Sequence, residues 1–231
     1  MLKLVESDEL AIHSLLNSIK SKCNHTIPIL DLVVEKIIVT PYELVLRHAP
    51  DSIKTKGNDL AFQFLEGVQF IHQRNVAHLD LKPDNIVLRT TTHSQRLLLI
   101  DFSVSVQVAG QESWIEGYRG TEDWAAPEVE ESTYRPIRAD LWSAGLVLQY
   151  FADRQHPNTN FTFKSLADEL QHLDPSHRPL LSTTHLSYEG NHRYQKLKRK
   201  RGVDAPEKEQ VKRPYVPSRV IPQDIRIALL V

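Results

Sequence analysis

The segment AHLDLKPDNIVL, at residues 77–88, constrains the fold of this chain more than any other stretch. It places His78, Asp80, Lys82 and Asn85 within eight positions, immediately before a short apolar run. A Pro-Asp turn with solvated charges would explain such a cluster if it stood alone. The patterns on either side therefore decide how the cluster is interpreted.

Packed elements are predicted on both sides of this cluster. Residues 59–75 carry apolar side chains around most of a helix circumference, which is typical of a helix enclosed in a core. The apolar runs NIVL and LLLID, at 85–88 and 97–101, are separated by polar residues and predict a short hairpin. The charged segment should therefore be a loop between a buried helix and a hairpin.

The N-terminal fifty residues predict one helix and two strands. Residues 6–20 are apolar at helical spacing, which predicts an amphipathic helix. The runs 27–39 and 42–49 are rich in β-branched and apolar residues, which favours strands with a turn between them.

The remainder of the chain predicts two helices and a tail. Residues 139–152 predict a strongly apolar helix, and 163–173 predict a helix that ends before an Asp-Pro pair. From residue 189 the chain is basic and contains several prolines, and such composition predicts a disordered tail. We interpret its basic run, KLKRKR, as a solvent-exposed segment rather than a nuclear localisation signal.

Composition limits the compartment and the partners. The formal net charge of -1 gives no overall field that would attract nucleic acid. Cys23 is the single cysteine, which excludes an intrachain disulfide and fits a reducing compartment. The sequence has no signal-peptide pattern at its start and no run of about 18 apolar residues. We expect an intracellular protein, cytoplasmic or nuclear, with no membrane span and no specific nucleic-acid partner.

The charged loop has the residues that phosphoryl transfer requires. This chemistry needs a carboxylate to accept a proton, a cation beside the phosphate and oxygen ligands for magnesium. The pattern His78-Leu-Asp80-x-Lys82-x-x-Asn85, followed by Asp101-Phe-Ser, contains all three. It resembles the eukaryotic protein kinases, whose catalytic loop reads H-R-D-x-K-x-x-N and whose metal motif reads D-F-G. The Lys-Pro pair is similar to their serine/threonine branch.

The resemblance implies a role for each of these residues. Asp80 would be the catalytic base, and Lys82 would contact the γ-phosphate. Asn85 and Asp101 would bind magnesium and the nucleotide. The resemblance also implies ATP and Mg²⁺ as cofactors and a protein as substrate, and we include Leu46 and His48, in the second predicted strand, as candidate nucleotide contacts.

Three downstream motifs separate this family from its alternatives. GTEDWAAPEV at 120–129 resembles the end of a kinase activation segment, so Thr121 would bridge Asp80 and Lys82. In ADLWSAG, Asp140 would brace the catalytic loop. Small-molecule phosphotransferases of the aminoglycoside and choline kinase type share the H-x-D and I-D-F patterns, but the Ala-Pro-Glu and Asp140 motifs disfavour them. The motif DPSHRPL similarly implies a buried ion pair between Arg178 and Glu128.

The N-terminal part departs from the family pattern. No glycine precedes Gly57, so we expect no glycine-rich loop in this chain. Lys3 is the single lysine before the first helix, and we expect it not to serve as the family's strand lysine. Glu6 and Glu9 are then interpreted as carboxylates that favour the first helical turn. Leu79 replaces the arginine that often pairs with a phosphorylated segment, which disfavours activation by phosphorylation.

We therefore predict an α+β, protein-kinase-like fold with a remnant N-lobe at 1–50, a mostly helical C-lobe at 51–188 and a tail at 189–231. The predicted function is a protein serine/threonine kinase that uses ATP and Mg²⁺. The alternative is an inactive pseudokinase or truncated kinase fragment that acts as a binding module.

Overall fold

The computed structural model describes residues 1–33, 36–92, 94–131 and 133–184. The predicted tail at 189–231 lies outside the described residues. Within those described ranges, none of the helices combines the length and the apolar character needed to cross a lipid bilayer.

The N-terminal part is a three-stranded antiparallel sheet with one helix. Its elements are β1 (Leu2–Leu4), α1 (Ser7–Ser18), β2 (Asp31–Val33) and β3 (Ile37–Val39). Strand β3 lies in the centre of the sheet, between β1 and β2. Lys3 of β1 is paired with Ile38 of β3.

The predicted helix is present, but the strand predictions were wrong in number and extent. The run 27–39 contains two short strands, because a turn in which the N–H of Lys36 donates to the carbonyl of Val33 interrupts it. The run 42–49 contributes one short strand, β4 (Leu44–Val45), followed by a 3-10 helix at Leu46–His48. Strand β1 was not predicted.

The central part contains the long helix and the hairpin. Its elements are α2 (Pro50–His72), β5 (Val76–Ala77), β6 (Ile86–Thr90), β7 (Gln95–Leu99) and β8 (Val106–Gln107). The predicted hairpin is confirmed as the β6–β7 pair, which β4 extends to three strands, and β5 pairs with β8. Helix α2 begins at Pro50, because a proline fits the first helical turn, and its backbone departs from helical angles at Lys56. The part after this kink contains the helix predicted from residue 59, and the part before it was not predicted.

The last described part is mostly helical. It contains β9 (Ile115–Glu116), β10 (Thr133–Tyr134), α3 (Pro136–Arg154) and α4 (Lys164–Leu170). Further 3-10 helices lie at Pro83–Asn85, Pro127–Glu130 and Pro175–His177. Helices α3 and α4 confirm the two predictions made for this region.

The main core joins α2, α3 and one face of the hairpin. Ile86, Leu88, Leu97 and Leu99 alternate along β6 and β7 toward this core, and all four are buried. A second cluster forms around Leu79 on the other side of the β5 region. The segment 78–85 therefore crosses between two packed regions, and both of its ends are fixed.

Candidate functional site

Four of the predicted site residues form one hydrogen-bonded group. The Asp80 carboxylate accepts a hydrogen bond from Thr121 Oγ1 at 2.7 Å and another from Asn85 Nδ2 at 2.7 Å. Lys82 Nζ lies 2.8 Å from Asp80 Oδ2 and donates to Thr121 Oγ1 at 2.5 Å. Thr121 therefore contacts both Asp80 and Lys82, as the sequence implied, and the Asp80 carboxylate is held in one orientation.

Asp140 holds the backbone of this loop. Its carboxylate is fully buried and accepts the N–H of His78 at 2.6 Å and the N–H of Leu79 at 2.7 Å. Its third contact, at 2.9 Å, is with His72 Nε2. Leu79 has a φ of 62°, a left-handed conformation that costs energy for a residue with a side chain. The hydrogen bonds that the N–H groups of His78 and Leu79 donate to Asp140 offset that cost.

Gly120 permits the close approach of the 120–129 segment to the loop. Its φ is 106°, and a Cβ atom built on it would lie 2.3 Å from the carbonyl oxygen of Leu79. Any side chain at this position would therefore collide with backbone. Since Thr121 follows directly, the absent side chain at Gly120 allows Thr121 to reach Asp80.

The structure places Lys3 in ion pairs that the sequence did not predict. This residue lies on a strand, and its ammonium group contacts both the Glu9 carboxylate on α1 and Asp101 Oδ1, the latter at 2.8 Å. Glu9 lies in the first turn of α1, as predicted, but its side chain is almost fully buried, at 3% exposure, and pairs with Lys3. The pairing with Glu9 and Asp101 spans three separate elements, which the spacing in the sequence did not reveal.

The opposite charges of Lys3 and Asp101 stabilise each other. Burial opposes ionisation of Asp101, but the hydrogen bond from Lys3 and those from Ser103 outweigh it and lower the pKa of Asp101 to about 2. Burial also opposes the charge on Lys3, yet its contacts with Asp101 and Glu9 raise its pKa. Both groups are therefore ionised at neutral pH.

Asp101 is fixed beside the 78–85 loop through its neighbour Ile100. The N–H of Ile100 donates to the carbonyl of Asn85 at 3.0 Å, and the Ile100 carbonyl contacts His78 Nε2 at 3.0 Å. His78 is fully buried, which agrees with the structural role expected for it. Asp101 itself has a φ of 66°, which is a left-handed backbone conformation.

Phe102 connects helix α1 to the loop. Its ring lies 5.3 Å from the ring of His13 and 5.0 Å from that of His78. His13 is buried on α1, and its Nε2 contacts the carbonyl of Ile27 at 2.7 Å. Burial lowers the pKa of His13, so the ring is neutral at pH 7. This role was not predicted, because His13 is one of several histidines that are scattered along the sequence.

The remaining candidates for nucleotide contacts, Leu46 and His48, differ in their exposure to solvent. Leu46 has no exposed surface and its side chain packs in the main core, so its nucleotide contact would have to be made by the backbone and stays a prediction. The chain turns into the 3-10 helix at this point, which directs Leu46 inward. His48 is exposed, and its proposed contact stays a prediction.

The implied ion pair between Glu128 and Arg178 is present. Arg178 Nη1 and Nη2 donate to the two carboxylate oxygens of Glu128, at 2.5 and 2.9 Å. Arg178 also donates to the carbonyls of His172 and Arg138, each at 2.9 Å. This bidentate pair fixes the end of the 120–129 segment to the residues after α4.

The described residues include no group of three or more His, Cys, Asp or Glu side chains that would enclose a metal ion. Magnesium does not need such a group, because it is usually held by one or two carboxylates together with phosphate and water. Lys3 Nζ and the N–H of Ser103 both donate to Asp101 Oδ1, and Asn85 donates to Asp80 through Nδ2, so Asp101 Oδ2 and Asn85 Oδ1 are the candidate ligand oxygens. These two oxygens fit the donor set of a magnesium site that also uses a substrate phosphate.

Comparison with known proteins agrees with this geometry. The family model of the protein kinase domain matches residues 32–184, and the chain belongs to this family. The match includes the catalytic loop, Asp101, the 120–129 segment and Arg178.

Curated relatives carry the same family assignment. The serine/threonine-protein kinase ULK3 of Homo sapiens is 34% identical over 125 residues, which are 52% of this chain and 26% of that protein. The mitogen-activated protein kinase kinase kinase A of Dictyostelium discoideum is 33% identical over 127 residues, 55% of this chain and 13% of that protein. The match thus spans about a quarter or less of each relative.

Proposed function

We propose that this chain is a protein serine/threonine kinase that transfers the γ-phosphoryl group of ATP to a protein hydroxyl with the aid of Mg²⁺. The observation that carries the proposal is the bonded group of Asp80, Lys82, Thr121 and Asn85, with Asp101 fixed beside it. The proposal is also supported by the similarity of the chain to a serine/threonine-protein kinase and to a mitogen-activated protein kinase kinase kinase.

Asp80 is the proposed catalytic base. Thr121 and Asn85 each donate to one of its oxygens, so the carboxylate cannot rotate freely. Each carboxylate oxygen has further acceptor capacity, and one of them can accept the proton of a substrate hydroxyl. Lys82 lies within contact of Asp80, and its ammonium group is placed to contact the transferred phosphate.

The nucleotide phosphates are the proposed partners of Lys3, Asn85 and Asp101. When bound, magnesium supplies positive charge that neutralises the phosphate oxygens during transfer. Asn85 and Asp101 would hold it through Asn85 Oδ1 and Asp101 Oδ2. Lys3, positioned by Glu9, would contact phosphate oxygens from β1.

A binding module without catalysis is the second candidate, and one contact favours it. Lys3 Nζ donates directly to Asp101 Oδ1 at 2.8 Å, so one proposed magnesium ligand is already engaged by a cation. If this pair persists, the carboxylate has less negative charge to offer a metal. The single cysteine supports an intracellular location for either candidate.

Mg-ATP binding is the first requirement of the kinase proposal, and its absence would leave the binding module as the remaining candidate. Thermal unfolding should be measured for the full chain with ATP and Mg²⁺, with ATP and EDTA, and without ligand. At a hundredfold excess over the dissociation constant, bound Mg-ATP stabilises the folded state by about 2.7 kcal/mol. This corresponds to a rise in Tm of roughly 5–10 °C for a chain of this size.

Two variants make the binding experiment specific. Asp101→Asn should abolish the magnesium-dependent part of the shift, whereas Asp153→Asn, an exposed residue on α3, should retain it. The kinase proposal is wrong if Mg-ATP gives no shift in the folded wild-type chain, and the binding-module candidate then stands.

A further inference from the structure

A second polar cleft lies outside the proposed catalytic site. It has a volume of about 220 Å³ and is bounded by the end of α1, the loop that follows it and the β6–β7 hairpin. Lys20, Arg89 and Arg96 all line it. Three positively charged side chains from two separate parts of the fold therefore face one small space.

The two arginines are direct cross-strand partners. Arg89 of β6 lies opposite Arg96 of β7 in the antiparallel register, on the hairpin face that is turned away from the main core. Like charges directly opposite each other destabilise a strand pair. Burial lowers the pKa of Arg96, and the neighbouring charge of Arg89 lowers it further. The repulsion between the two guanidinium groups therefore destabilises this strand pair, and a bound anion would reduce that repulsion.

Other contacts hold both guanidinium groups in place. Arg96 Nη2 donates to the carbonyls of Lys22 and Asn24, at 2.9 and 2.8 Å. Arg89 Nε donates to Glu43 Oε1 at 2.6 Å. Within the part of the chain that the structure describes, the other N–H groups of these arginines have no hydrogen-bond partner. They are thus oriented donors that remain available to a ligand.

The loop on the opposite wall is also fixed. Asn24 Nδ2 donates to the carbonyls of Leu16 and Ile19, and Asn24 Oδ1 accepts from Thr26. Because the side chain of Asn24 connects α1 to this loop, the cleft exists without a ligand. A preformed site binds with less loss of conformational freedom than one that must be assembled.

Nearby carboxylates reduce the positive charge without cancelling it. Glu43 forms an ion pair with Arg89, and the negative charge of Glu66 stabilises the charged form of Arg96. Glu66 also bonds His25 and Cys23, so its charge is shared among three groups. Lys20 has no ion-pair partner within the described ranges. Three cations against two carboxylates leave the cleft positive.

We propose that this cleft binds a phosphate group between Arg89, Arg96 and Lys20. Guanidinium groups match phosphate oxygens with paired, charge-assisted hydrogen bonds, and two of them can share one tetrahedral anion. The volume lies below the range usual for drug-sized ligands, so the cleft suits a single phosphate better than a nucleotide. The phosphate is either free or carried on a serine or threonine of a protein segment.

Binding of inorganic phosphate and of a short phosphoserine peptide tests the proposal. Affinities should be measured by calorimetry on the full chain at constant ionic strength, with the unphosphorylated peptide as a reference. Arg89→Gln should weaken phosphate binding by about tenfold or more, as expected for the loss of one charge-assisted hydrogen bond. Arg47→Gln, which removes an exposed arginine paired with Asp84, should leave it unchanged.

The outcomes separate the ligand sources and the two sites. Loss of phosphate binding in Arg89→Gln supports the cleft as the binding site. If the phosphopeptide binds more tightly than inorganic phosphate, the ligand is a phosphate carried on a protein segment. Equal affinities identify free phosphate. Lys82→Gln should retain this binding, because Lys82 belongs to the proposed catalytic site. Phosphate binding that Arg89→Gln does not weaken, or no binding of either probe by the wild-type chain, overturns the proposal.

Discussion

Replacing Glu128 with glutamine should remove more stability than any comparable change of a surface charge. Arg178 is 1% exposed and donates to both oxygens of Glu128, so the pair is nearly dry. In Glu128→Gln the guanidinium keeps its two backbone acceptors but loses its counter-charge, and the new amide group presents its own donors. Breaking one side of a buried ion pair costs about 3–5 kcal/mol, because an uncompensated charge stays buried.

The assay is urea unfolding at pH 7, with thermal unfolding beside it. For a chain of this size, about 3 kcal/mol corresponds to a fall in Tm of roughly 6–12 °C. Glu112→Gln is the matched control, because Glu112 pairs with Arg138 and Arg135 but is 49% exposed. Its loss should cost less than about 1 kcal/mol. Equal losses for the two variants would refute the argument that burial gives the Glu128 pair its weight.

Three further changes test how the site is held. The pKa of Asp101 is about 2 in the folded chain and 3.8 without the fold. Because folding lowers this pKa, the pairing of Asp101 with Lys3 stabilises the folded state above about pH 4, and this contribution is lost as the pH falls toward 2. Because the side chain is 38% exposed, we expect about 1 kcal/mol, measured as the acid-induced loss that is missing in Asp101→Asn. Asp140→Asn should cost about 1–3 kcal/mol in urea unfolding, since one of its two backbone donors then meets an amide N–H₂ group; a change within error would show that the loop is held otherwise. Gly120→Ala should lower the Tm and reduce any phosphoryl transfer together, because its Cβ would collide with the carbonyl of Leu79; an unchanged Tm would contradict the close approach.

The sequence predicted the catalytic loop well because its contacts are local or follow from fixed motifs. Asp80, Lys82 and Asn85 lie within one short loop, and the hairpin after it has a clear apolar alternation. The contacts of Thr121 and Asp140 with this loop followed from the family resemblance. Charge and spacing alone would not have placed them there.

The pairing of Lys3 with Asp101 was not predictable in the same way. The two residues are 98 positions apart, and the three-residue strand that carries Lys3 is too short to give a periodic signal. Helix α2 was predicted to begin too late, because the polar residues from 51 to 58 read as a loop. The start of α2 had a local signal that was missed, because Pro50 fits the first helical turn. Packing determined the position of Lys3, and single-sequence patterns do not report packing. Leu46 shows the same limit, since its apolar character fitted a strand and a core position equally well.

Transfer of labelled γ-phosphate from Mg-ATP to a pool of serine- and threonine-containing peptides tests the central claim most directly. The wild-type chain should transfer phosphate, and Asp80→Asn should reduce kcat by about 10²–10⁴-fold, the range usual for a general base. Mg-ATP should still stabilise that variant, and the neighbouring control Asp84→Asn should keep its activity. A wild-type chain that binds Mg-ATP without transferring phosphate, or an Asp80→Asn variant as fast as wild type, would contradict the proposed role of the loop.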